Sequence, residues 1–181
     1  MNGAWDRKQY LLTEERIRGQ AYTVAELLTP MTWRLNFHVC DSTFEYEQMK
    51  RGFTERQCAI FAVENAHTKL NGFSMADFFA NEYGILWEDV LAGFKAVGLT
   101  ELHDIFRSGC KKFGKTVPMN RYERADLIRG GLDFTELTRA YDNYVRKTSL
   151  TIAEFDARIL GYAAKYAKDF VFFGDIAVPA Y

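Results

Sequence analysis

Net charge is what this chain most lacks. Its 23 lysines and arginines nearly cancel 24 aspartates and glutamates, leaving −1. That balance argues against a nucleic-acid binder that neutralises many phosphates, and equally against a surface acidic all over. No run approaches the roughly 18 consecutive apolar residues of a membrane-crossing helix. The opening residues, MNGAWDRKQY, contain no apolar segment of a secretory leader. Cysteine is sparse: Cys40, Cys58 and Cys110 are odd in number and form no Cys-x-x-Cys pair. Three reduced, buried thiols in a cytoplasmic protein are the expectation. Nucleophile elbows, HExxH elements, P-loops and GxGxxG runs are missing. So are internal repeats, low-complexity segments and any evident linker.

What is present is apolar and helical. The 181 residues are 48% hydrophobic and 15% aromatic, enough for one domain with a full core. The organising stretch is residues 54–113. Thr54 and Gln57 form a capping-box pair, and Cys58, Ala59, Ala62, Val63, Ala66 and Leu70 follow on one helical face. Ile60 and Phe61 extend the apolar surface around the cylinder, so this helix is expected at the centre of the fold. Asn71-Gly72, which tolerate left-handed backbone, are expected to stop it.

Ser74 with Asp77 caps a short helix carrying Phe78 and Phe79, which Gly84 is expected to close. Trp87, Val90, Leu91, Phe94 and Val97 mark the next helix, ended by Gly98. Thr100 opens another with Leu102, Ile105, Phe106 and Gly109. Further capping pairs, Ser42/Glu45, Asn120/Glu123, Asp133/Glu136 and Thr151/Glu154, each precede a periodic run, the last with Ile152, Phe155, Ile159, Ala163 and Tyr166 inward. Their agreement predicts an all-α single domain, a bundle of about seven to nine helices.

The ends read differently. Residues 5–19 suggest a helix with a ragged stripe of Trp5, Leu12 and Ile17, and a second short helix, 23–29, is expected to stop before Pro30. Trp33, Leu35, Phe37 and Val39 alternate with polar residues, the pattern of a half-buried strand. Its natural partner is the tail, Phe170–Phe173 or Ile176–Val178, in a small two-stranded sheet within the chain or across a dimer.

The order Gln57, apolar helix, Asn71-Gly72-Phe73, Phe78-Phe79, Asn81, Gly84 and Val97-Gly98 resembles the bacterial DNA-mimic-protein family. The likeness continues through Phe113, Pro118, Arg121, Arg124, Leu137, Tyr141, Tyr162 and Phe170, covering about residues 41–170 and leaving 1–40 as an extension. Two positions depart from the family pattern: a single Gly72 follows the asparagine, and Thr138 stands where aspartate is common. The resemblance implies a protein without cofactor or metal that blocks a nucleic-acid-handling partner through an acidic face, with Asn71, Gly72, Phe73, Asn81 and Gly84 as its structural motif.

Candidates for chemistry are thin. Glu64-Asn65-Ala66-His67 matches one Glu-x-x-His element of a di-iron bundle, but such bundles need two. His67 therefore reads as a solvated or interface histidine. His38 and His103 have no partners at metal-ligand spacing. Cys58 reads as a core residue, and an enzyme built from Cys58, Glu64 and His67 is the weakest reading.

Charge distribution says more than its total. Residues 71–104 carry Asp77, Glu82, Glu88, Asp89, Glu101 and Asp104 against Lys95 alone, a net of −5. Residues 105–129 carry Arg107, Lys111, Lys112, Lys115, Arg121, Arg124 and Arg129 against Glu123 and Asp126, a net of +5. Such opposite fields can steer a charged partner. As an imitation of DNA one helix is poor: a helix about 16 Å long spans about nine phosphate charges of duplex, where the helix at Trp87 offers two carboxylates. The expectation is a non-enzymatic binding protein docking on another protein through these six acids, so that charge reversal at Glu88, Asp89, Glu101 and Asp104 weakens binding. The alternative is an immunity-type protein occluding a toxin by shape. Neither reading involves direct nucleic-acid or membrane contact, and either allows a homodimer.

Overall fold

The computed structural model describes residues 5–179; residues 1–4, where the expectation of no leader partly falls, lie outside them. Among the described residues there are ten α-helices: α1 (Glu14–Arg18), α2 (Val24–Arg34), α3 (Thr43–Lys50), α4 (Glu55–Leu70), α5 (Met75–Ala80), α6 (Trp87–Ala96), α7 (Thr100–Lys111), α8 (Arg121–Arg129), α9 (Thr135–Thr148) and α10 (Ile152–Lys165). Two strands, β1 (Trp5–Leu12) and β2 (Phe172–Pro179), complete the fold. The count exceeds the seven to nine expected; α1 and α5 are short pieces of five and six residues, each opened by its own cap.

The two-stranded sheet from the chain ends is present, but its first strand is not the expected one. β1 pairs antiparallel with β2, from Trp5 opposite Pro179 to Leu12 opposite Phe172. Residues 5–12, read as the start of a helix, form this strand, and the side chains of residues 6–11 are mostly in solvent. Their conformation follows from main-chain pairing with a segment some 160 residues away, which local periodicity does not record. The helix starts later, where the Thr13 hydroxyl accepts from the Arg16 amide.

Residues 33–39, expected as the strand, finish α2 and continue into a 3-10 turn at Phe37–Val39. Leu35 and Phe37 are buried as foreseen, while Val39 is 62% exposed. A helix end followed by a tight turn therefore imitates strand alternation. The segment still meets the tail, by a side chain: Arg34 donates to the Asp175 carbonyl at 2.7 and 3.2 Å and lies over the Phe172 ring.

Pro30 lies inside α2 rather than beyond it. Lacking an N–H, it leaves the Glu26 carbonyl without its helical donor. The Tyr10 hydroxyl of β1 donates to that oxygen at 2.9 Å.

The centre is as expected. α4 opens with the reciprocal Thr54/Gln57 box and buries ten residues, including Ile60, Phe61, Ala62, Val63 and Ala66. α6 lies so close that a Cβ on Gly93 would stand 2.3 Å from the Ala59 carbonyl and 2.5 Å from Val63. One continuous hydrophobic cluster runs from Leu12 to Ile176. Phe78, Phe79, Phe94, Phe106 and Phe134 meet within it at centroid distances of 5.3–6.0 Å.

Several local expectations need correction. α4 stops at Asn71-Gly72, but Asn71 has φ −72° and Gly72 is not left-handed. The termination rests on amide bonds from Gly72 and Phe73 to the Lys69 carbonyl and on the new cap at Ser74. Positive φ occurs instead at Gly98, after α6, and at Gly131, after α8. Ile152, placed inward by its spacing, is 73% exposed, whereas Phe155, Ile159 and Ala163 are buried. No helix among the described residues is long and apolar enough to cross a membrane.

Candidate functional site

The six acids of residues 71–104 meet different fates. Asp89 is withdrawn from solvent, its side chain 14% exposed. It accepts from the Tyr46 hydroxyl at 2.7 Å and from the Lys50 ammonium at 3.1 Å. Burial, reinforced by this carboxylate, pushes the Tyr46 phenol far above its ordinary pKa. Asp77 closes the capping box of α5 with Ser74 and remains exposed. Glu82 approaches His38 at 3.4 Å, and Asp104 meets His103 at 2.9 Å. Glu88 and Glu101, in the first turns of α6 and α7, are exposed. There they complement the partial positive charge of unsatisfied helix amides.

These acids do not all gather in one place. α6 and α7 form a hairpin turned at Gly98, and the first residue of α6, Trp87, lies beside Arg107 and Lys111 near the end of α7. Glu88 therefore sits toward the basic end of the hairpin, and Glu101 and Asp104 toward the other.

Asp77 and Glu82 do converge with the motif residues. Together with Lys69, Phe73, Asn81 and Tyr83 they line a cleft of about 170 Å³. Phe73, 57% exposed, forms one wall. The Lys69 ammonium lies 5.5 Å from the Phe73 ring centre and 4.6 Å from that of Tyr83, a cation between two aromatic faces. Asn81 is fixed at both ends: its side-chain amide donates to the Asp77 carbonyl at 2.8 Å, and its own carbonyl receives Arg124 at 2.8 Å.

Arg124 is the residue that charge counting misplaced. It is fully buried and donates to the main-chain carbonyls of Phe79, Asn81, Pro118 and Met119 at 2.5–2.8 Å. Burial lowers its pKa to about 10. The guanidinium thus holds the end of α5 to the loop before α8. Gly84 leaves the space: a Cβ there would stand 2.5 Å from Arg124 Nε and 2.7 Å from the Phe79 carbonyl. Gly84 accordingly serves this packing, not the ending of a helix. The pairing of a distant glycine with an arginine left no signal in spacing.

His67 is neither solvated nor at an interface; it is a core residue, 3% exposed. Its ring stacks on Phe155 at 4.0 Å, Nδ1 lies 2.7 Å from the Tyr141 hydroxyl, and Nε2 lies 3.2 Å from the Asn71 amide nitrogen. Because that amide donates, Nε2 accepts, and Nδ1 carries the proton. Burial lowers the pKa of His67 to about 4. Glu64 is held above the usual carboxylate range by burial, despite a 3.0 Å bond from Thr68. Cys58 is buried and its thiol pushed up to about 12 by burial. It lies nine residues from His67 along α4, about 13 Å at the helical rise, so the two do not meet. Among the described residues no three His, Cys, Asp or Glu side chains are grouped to hold a metal.

The geometry defines a ten-helix body around α4, tied by a ribbon of its ends, with an acid-lined cleft at the Asn71-Gly72-Phe73 corner. The family model described as DMP19-like protein matches residues 51–166, well over half the chain. The chain belongs to this DNA mimic protein 19 family. No curated protein and no solved structure matches it.

Proposed function

We propose that the chain is a non-enzymatic interaction domain that binds a nucleic-acid-binding protein and occludes its nucleic-acid site through carboxylates. The observation that carries this reading is membership of a family named for DNA mimicry, with exposed acids at the first turns of α6 and α7. The docking acids are Asp77, Glu82, Glu88, Glu101 and Asp104. Asp89, bound to Tyr46 and Lys50, serves the fold instead.

The test is affinity capture on the full chain, with retained nucleic-acid-binding proteins eluted by competing duplex DNA. Reversal of Glu88, Glu101 and Asp104 to lysine is expected to abolish that retention, and moderate salt to weaken it steeply. Retention unchanged by all three reversals removes these three carboxylates from the account. Retention insensitive to both salt and DNA supports occlusion of a toxin by shape.

A further inference from the structure

Beyond the acids lies a groove of opposite character. The chain leaving α7 turns at Gly114, with φ +92°, a value glycine adopts without strain. It brings Val117 back against α6 and encloses a groove of about 210 Å³. The floor is apolar: Trp87 and Leu91, one turn apart on α6, and Val117, 1% exposed. The rim is cationic: Arg107 and Lys111, one turn apart on α7, and Lys115, all exposed.

No carboxylate lines this groove, and none of the three cations has an ion-pair or hydrogen-bond partner among the described residues. Some exposed arginines elsewhere are cancelled within their own helices, as in Arg18–Glu14 and Arg139–Glu136. Here Asp104, three residues before Arg107, turns to His103 instead. The buried Nε1–H of Trp87 also lacks an acceptor among the described residues. Each of these four groups is a donor with no acceptor among the described residues, and the residues that carry them line a space sized for one large side chain.

We propose that this groove docks an acidic peptide segment of a partner protein. An apolar side chain of the segment seats on Trp87, Leu91 and Val117, while flanking carboxylates meet Arg107, Lys111 and Lys115. A nucleic-acid backbone would call for cations strung along an open track; a closed apolar floor ringed by charge instead suits an anchor side chain between acids. The proposal is independent of the acidic face.

The test uses the full chain and fluorescently labelled short peptides in which aspartates and glutamates flank a single Leu, Phe or Trp, read by anisotropy. Members of this set are expected to bind. Combined Arg107→Glu, Lys111→Glu and Lys115→Glu should weaken them at least about tenfold, and alanine at the peptide's apolar position about fivefold or more. The three rim residues are exposed, and circular dichroism checks that the variant folds. The glutamine version of the same triple and Leu91→Ala give a second reading of rim and floor. No peptide binding above the level of the reversed variant overturns the proposal. Polyphosphate or a single-stranded oligonucleotide binding as tightly as the best peptide overturns it in favour of a general anion site.

Discussion

His67 and Arg124 show how single residues here depart from their usual behaviour. His67 is neutral in the fold because burial lowers its pKa to about 4 from 6.5, so the unfolded chain takes up the proton first as pH falls. Its contribution is complete above about pH 6.5 and is lost progressively as pH falls to about 4. The loss is on the order of 3 kcal/mol for this one group. Urea midpoints measured between pH 7 and pH 4 should show the slope, and His67→Phe should flatten it. Arg124 shares the Asn81 carbonyl with the Gly84 amide and satisfies the carbonyls of Phe79, Pro118 and Met119. Arg124→Met should cost about 3–5 kcal/mol by leaving them unpaired, measured by chemical denaturation. Gly84→Ala should be destabilising by about 1–3 kcal/mol, because its Cβ meets the guanidinium and the Phe79 carbonyl together.

At the scale of elements, starts proved more legible than ends. The capping boxes at Thr54, Ser74 and Thr151 all stand where the spacing places them, because a cap is a contact between residues three apart in sequence. Pro30 is the counterexample. A proline normally marks a helix boundary, yet α2 runs through it because a tyrosine from β1 occupies the orphaned carbonyl. Tyr10→Phe should cost about 1 kcal/mol in the native chain and measurably less in a Pro30→Ala background. There a restored amide can reach Glu26, and a double-mutant cycle by thermal unfolding reads the difference. Gly93 is silent in the sequence for the same reason as Gly84: its partner surface belongs to another helix.

Across the whole molecule, folding redistributes the charges that sequence counts in blocks. Asp89 leaves the acidic set and Arg124 leaves the basic one, each for partners in other segments. Lysine at position 89 should therefore fail differently from lysine at Glu88, Glu101 or Asp104. It should lower the melting temperature by several degrees through a buried like-charge contact with Lys50, while the other three leave stability within about 0.5 kcal/mol. Differential scanning fluorimetry separates the two behaviours.

The helical class, the central place of α4 and most helix starts were determined by the sequence alone, since each depends on interactions within a few residues along the chain. Only the tertiary structure decided which segment became the partner of the tail strand, which charges reach solvent and why Gly84 and Gly93 carry no side chain. Those outcomes depend on surfaces brought together from distant positions, where main-chain pairing and steric fit leave no periodicity to read.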